Sequence, residues 1–204
     1  MKICVVGWYF RPAMMKAVEK SRYEAFVIKH REGDTCGIPG RLYENLGLEV
    51  GAYRQYMENH WDGQSDVLFC HDDAEVSGTN VFDQVASLAD MDIDHAYIFR
   101  HEYEELVNNG CHGRGMWARG SWLALLQQAG GFPADMSNRG DHCSKDANRG
   151  IFAFHRLVTE INGHKAGIAA VVPGFHFARR GWMAQEMYVF RRTGPVIVTP
   201  VVEE

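Results

Sequence analysis

A run of apolar residues, Val67-Leu68-Phe69-Cys70, leads through His71 into Asp72, Asp73 and Glu75 before closing on Val76. Carboxylates at the end of a core strand lose hydration and repel one another, and a divalent cation is the partner that best offsets several at once. The chemistry such an ion serves is that of phosphate groups. The same residues also suit a solvated turn, so this stretch alone leaves both readings open. A softer ligand set is spread wider: Cys70-His71, Cys111-His112 and His142-Cys143 offer the thiols and imidazoles that zinc prefers. Their spacing matches no zinc knuckle, and three distant pairs would have to converge.

The elements that must position these residues alternate. Residues 2–6 read as a β-branched strand, 13–21 as a helix with Met14, Ala17 and Val18 apolar, and 23–28 as a second strand entering the charged segment 29–34. Residues 47–59 form the next helix, and the polar turn Asp62-Gly63-Gln64-Ser65 leads into the acidic-ended strand at 67–76. A helix at 81–88 and strands at 95–100 and 168–172 follow. Open α/β sheets bind ligands outside the carboxyl ends of their strands, which puts the Asp72-Asp73 loop beside the loop at 7–11. Residues 130–150, rich in Gly, Asp and Asn, read as a long loop of the functional kind. The β-branched tail at 195–202 reads as an added edge strand or a surface for a homo-oligomer.

With 204 residues, 46% of them hydrophobic, the chain can bury one substantial core. It has no run resembling a membrane span, and its start lacks the apolar segment and cleavage site of a signal peptide, so a cytoplasmic location is expected. Five cysteines, an odd number, point to reduced thiols, with Cys4 in the core. A formal charge of −5 gives no general attraction for polyanions. Nucleic-acid binding would rest on a local patch at Arg179, Arg180, Arg191 and Arg192.

In chain order, Arg11-Pro12, Glu44-Asn45-Leu46-Gly47, His71-Asp72-Asp73-Ala74-Glu75-Val76, Ala129-Gly130-Gly131-Phe132, Lys145-Asp146, Arg156, Gly163-His164-Lys165 and His176 resemble the motif series of the family-two glycosyltransferases of GT-A fold. The resemblance runs over residues 1–180. It implies an α/β, GT-A-like (Rossmann-like) mixed sheet flanked by helices, in a single domain over 1–204. Residues 1–109 would form the nucleotide-sugar-binding half and 110–204 the acceptor-side half. The implied activity is metal-dependent transfer of a sugar from a nucleotide diphosphate donor, most often a UDP-sugar, to an acceptor hydroxyl with inversion.

The same resemblance implies roles. Asp73 holds Mn²⁺ or Mg²⁺, and His176 completes the shell, an imidazole suiting Mn²⁺ the better. His71 stands where the family's Asp-x-Asp begins, which leaves the sugar or ribose contact to Asp72. Asp146 matches the second residue of the family's Glu-Asp pair and is the general base, with Lys145 in place of the first; Asp141 is the rival base, and both residues also suit turns. Tyr9 and Arg11 follow the first strand where relatives place the base and phosphates, and Asn45 and Gly47 turn the chain close to the nucleotide. Trp8, Phe10, Lys29 and His30 depart from the family's pattern and leave the nucleobase open. Trp117 or Trp182 would line an acceptor site by stacking on a sugar ring. Two other functions fit the same acidic loop. One is a catalytically silent sugar-nucleotide or glycan binder of this fold; the other is a metal-dependent phosphodiesterase, although no second acidic cluster stands ready for a two-metal site.

Overall fold

The computed structural model describes residues 1–78, 80–98, 115–134, 153–154, 157–158, 160–161, 165–166, 168–172, 174–177, 188–190 and 199–200, with backbone alone at 168–171, 176–177, 188–190 and 199–200. In chain order its elements are β1 (Lys2–Gly7), α1 (Pro12–Glu19), β2 (Ala25–Lys29), β3 (Gly40–Leu42), α2 (Leu48–Asn59), β4 (Val67–His71), β5 (Ala74–Val76), α3 (Val81–Ala86), β6 (His95–Tyr97), β7 (Gly115–Ala118), α4 (Gly120–Gln128), β8 (Ile168–Val171), β9 (Phe175–Phe177), β10 (Tyr188–Phe190) and β11 (Thr199–Pro200).

Among the described residues nine strands form one sheet in the order β11-β10-β8-β6-β7-β4-β1-β2-β3, and β5 pairs with β9 apart from it. β1 lies between two parallel neighbours, with Val5 level with Val27 on β2 and Cys70 on β4. β7 runs antiparallel to both β4 and β6, which makes the sheet mixed. Every residue of β1 after Lys2 is buried, as a strand covered on both faces requires.

Alternate side chains feed two cores. Ile3, Val5, Leu68 and Cys70 meet Met14, Met15 and Val18 of α1 and Val81, Phe82 and Val85 of α3. Cys4, Val6, Val67 and Phe69 meet Val50, Tyr53 and Tyr56 of α2 and Trp122, Leu123 and Leu126 of α4. The result is one α/β domain with a mixed sheet flanked by helices. Cys4 is a core residue, as its neighbours in sequence suggest. Cys4 and Cys70 lie on adjacent strands yet on opposite faces, so their thiols serve separate cores. No helix among the described residues is long and apolar enough to cross a membrane.

Boundaries differ from the sequence reading for local reasons. α1 starts at Pro12, whose fixed φ suits a first helical position. α2 starts at Leu48 because Gly47, at φ 73°, turns the chain into it. The expected strand at 67–76 breaks at Asp72-Asp73 into β4 and β5, and the expected helix at 81–88 tightens into a 3₁₀ turn at Ser87–Asp90. β3, three exposed residues, and β7, four buried ones, are too short to read by periodicity. α4 begins on Gly120, where a Cβ would lie 1.8 Å from the Gln64 carbonyl oxygen, and that glycine reads as loop. The tail expectation is met at Thr199–Pro200, which takes the sheet edge beside β10.

One side chain ties the β6–β7 corner together. Arg119 donates to the carbonyls of Ala89 (3.0 Å), Met91 (2.9 Å) and Ile93 (3.1 and 3.0 Å), and its Nε stands 3.3 Å from Asp94 Oδ1. Hydrogen bonds from a charged donor are stronger than those between neutral groups. Arg119→Ala is expected to lower unfolding free energy by about 2–3 kcal/mol in urea denaturation, with the m-value unchanged.

Candidate functional site

β1, β2 and β4 run parallel and end together, so the chain leaves Gly7, Lys29 and His71 at one edge of the sheet. After β4 the Asp72 N–H donates to the Val6 carbonyl at 3.1 Å, and the Asp72 side chain passes beneath the loop that leaves β1. There a single oxygen, Oδ2, accepts the backbone N–H of Trp8 at 2.8 Å, of Tyr9 at 2.6 Å and of Phe10. Successive amides converging on one anion form a backbone nest. Phe10 adopts φ 51°, left-handed for a bulky residue, at a cost of roughly 1–2 kcal/mol. Its ring is buried in space left by Gly33, where a Cβ would lie 2.1 Å from the ring. Asp72 is wholly buried, and its Oδ1 has no hydrogen-bond partner among the described residues. Burial pushes its carboxyl up from the ordinary value; the three amides oppose that rise and Asp73 adds to it.

Asp73 is 2% exposed, and its Oδ1 lies 3.8 Å from His71 Nδ1. β5 then pairs antiparallel with β9, which sets His176 level with Glu75. Arg11 Nη1 stands 3.6 Å from Glu75 Oε1 across the mouth, a half-exposed pair that orients more than it stabilises. The fold thus gathers Asp72, Asp73, Arg11 and the His176 backbone around one loop cluster. Among the described residues no three His, Cys, Asp or Glu side chains are grouped so as to hold an ion unaided.

The second wall comes from β2 and α2. His30 donates its N–H to Gly7 O at 3.0 Å, and its Nε2 lies 3.4 Å from Gln55 Oε1. Gln55 in turn donates to Glu44 O at 3.1 Å. Asn45 Oδ1 is buried with no hydrogen-bond partner among the described residues. Gly47 and Gly51 let this turn close, since a Cβ on Gly51 would lie 1.7 Å from Leu46 O. Trp8 and Tyr9 stay exposed at the mouth, with the Arg31 guanidinium 5.8 Å from the centre of the Trp8 ring.

Sequence reasoning passed over Gln55, Gly33 and Arg31. A glycine within the charged 29–34 segment was the only available sign. Trp117 is wholly buried, so its expected place in an acceptor wall is corrected to the core. Gly130 and Gly131, at φ 105° and 76°, return Phe132 into the core against Tyr53, Phe69 and Phe154, which accounts for that motif structurally. Asp141, Asp146, Lys145, Arg156, Gly163, His164, Trp182, the partners Cys111, His112, His142 and Cys143, and the patch Arg179, Arg180, Arg191 and Arg192 lie outside the described residues, as does most of the 130–150 loop.

No protein-family model matches the chain, and no curated protein matches it. Among solved structures it is similar to a mannosyltransferase from Pyrobaculum calidifontis in complex with GDP-mannose and Mn²⁺, at 14% identity and a TM-score of 0.46, over 67% of this chain and 49% of that one. It is also similar to the apo form of the glycosyltransferase GlyE of Streptococcus pneumoniae, at 10% identity and a TM-score of 0.44, over 79% of this chain and 44% of that one. The chain thus spans about half the length of these two proteins or less. Likeness at this level carries no substrate or site across.

Burial holds the His30 and His60 rings below the ordinary histidine value of 6.5, with Arg41 adding to the effect at His60. The folded chain therefore keeps both neutral at a pH where the unfolded chain already binds protons. Their contribution is complete above about pH 6.5 and is lost as pH falls towards the depressed folded values. Unfolding free energy is expected to drop between about pH 7 and about pH 5, and His30→Gln to make that drop shallower in urea titrations at both values.

Proposed function

We propose that this chain is a metal-dependent glycosyltransferase of GT-A type, passing a sugar from a nucleotide diphosphate donor to an acceptor hydroxyl with inversion. The observation that carries the reading is the delivery of buried Asp73, beside Asp72, to the carboxyl ends of three parallel strands. The ordered motif series, and a mixed α/β sheet of the expected kind, support it.

The residues present suit a divalent ion. Asp73 would supply a hard oxygen donor, β5 and β9 set the backbone of His176 level with Glu75, and an imidazole ligand from His176 would favour Mn²⁺ over Mg²⁺. Bound there, such an ion would neutralise the charge that gathers on a departing nucleoside diphosphate. The remaining work belongs to the chain. Arg11 meets phosphate oxygens at the mouth, and Tyr9, Asn45 and Gly47 line the nucleoside, with uridine the favoured base. Asp146 removes the acceptor hydroxyl's proton on the face opposite the leaving group, and Asp141 stands in the same segment as the rival base.

Thermal unfolding against UDP, GDP and their sugars, with and without Mn²⁺, tests the reading. Saturation at about a hundred times Kd is expected to raise Tm by roughly 5 °C or more for a domain this size. The rise should require metal and nucleotide together. Asp73→Ala is expected to abolish it; Asp146→Asn is expected to keep it while removing donor turnover. Normal turnover in Asp146→Asn would transfer the base role to Asp141, and absence of any shift in the wild type would contradict the transferase reading.

A further inference from the structure

We propose that Asp72 is a positioning residue that fills the backbone nest of Trp8, Tyr9 and Phe10 as an internal anion, and that it touches neither donor nor metal. The inference rests on the transferase reading for what the loop serves, but the anchoring itself stands on geometry alone. One carboxylate oxygen takes all three successive amides, and the side chain that carries it is wholly buried. Oδ2, so engaged, has no lone pair left for a ribose hydroxyl, and Oδ1, which has no hydrogen-bond partner among the described residues, is closed off by burial with the rest of the side chain. The three amides, which would otherwise suit a phosphate, are likewise closed to one. Donor phosphates must then meet side chains such as Arg11, the next residue along the same loop.

What the nest holds in place is the mouth of the site. Trp8 and Tyr9 are more than a third exposed, so burial does little to fix them; only Phe10 of the three is buried. Their amides below, and Arg31 against the Trp8 ring, contribute to their order. Without Asp72 the loop would carry its conformational freedom into the unbound state, and a ligand would have to restrain it on binding.

The test reads the loop and the ligand separately. Amide hydrogen exchange on the wild type should show Trp8, Tyr9 and Phe10 protected despite the exposed side chains of the first two. In Asp72→Ala these amides should exchange at least roughly tenfold faster while residues 3–6 of β1 keep their protection. Affinity for UDP or GDP with Mn²⁺ should fall roughly tenfold. Formate, an anion small enough for the vacated nest, should restore both. Asp72→Asn keeps an acceptor oxygen for the amides and places its nitrogen in the field of Asp73, so it should bind within about threefold of the wild type.

Unprotected amides in the wild type, or unchanged protection in Asp72→Ala, would overturn the proposal; the first of these needs no variant to fold. Equal loss of affinity in the Ala and Asn variants with the loop still protected would also overturn it, by making Asp72 a direct ligand contact. A wild type that binds neither nucleotide would defeat the transferase reading, while exchange and formate rescue would still decide the anchor.

Discussion

The bond from one buried carboxylate to three consecutive amides sets the terms for the rest of this site. Asp72 leaves β4 at the point where the sheet ends, and by reaching under the β1 loop it binds two neighbouring strand exits into one piece. A desolvated carboxylate without such donors would cost several kcal/mol. The amides, in turn, belong to no helix or strand. Each side offsets part of the other's deficit, and the loop is tied down without being part of the sheet.

Much of the surrounding construction makes room for that arrangement. Phe10 takes a left-handed backbone angle and sets its ring against Gly33, so the β1 loop packs directly on the segment after β2. Arg11 leaves the same loop to face Glu75 on β5, and β5 carries β9 with it. The chain therefore reaches Asp73 and His176 through short, mutually braced steps. Beneath them lie two apolar layers, each built from alternate residues of β1 and β4, which hold the strand ends level.

The parts of this architecture that repeat were visible in the sequence. Apolar runs at β1, β2 and β4, and the alternation with α1, α2 and α3, implied an α/β sheet because burial on both faces leaves a strong compositional trace. The acidic end of β4 was visible for the opposite reason, as charge where a core strand should continue. What stayed hidden depends on geometry that residue type does not encode. Asp72 and Asp73 look alike as letters, yet one is bound to amides and the other faces His71. Gln55 reaches the site only because α2 crosses the ends of β1 and β2. Trp117 resembled a sugar platform but sits within β7, covered on both sides. The short β3, and α4 with its opening glycine, carry too little periodicity to announce themselves.

The chemical claim comes down to Asp73, the carboxylate that β4 delivers next to a neighbour already engaged by backbone amides. Electron paramagnetic resonance of aqueous Mn²⁺ tests it most directly, since the free-ion signal disappears when protein ligands enter the shell. Titrating the protein into Mn²⁺ with UDP or GDP should remove more of that signal than the nucleotide removes alone, and Asp73→Asn should remove no more than the nucleotide does. A wild-type protein that removes no more signal than each nucleoside diphosphate alone, or an Asp73→Asn variant that removes as much as the wild type, would contradict the account.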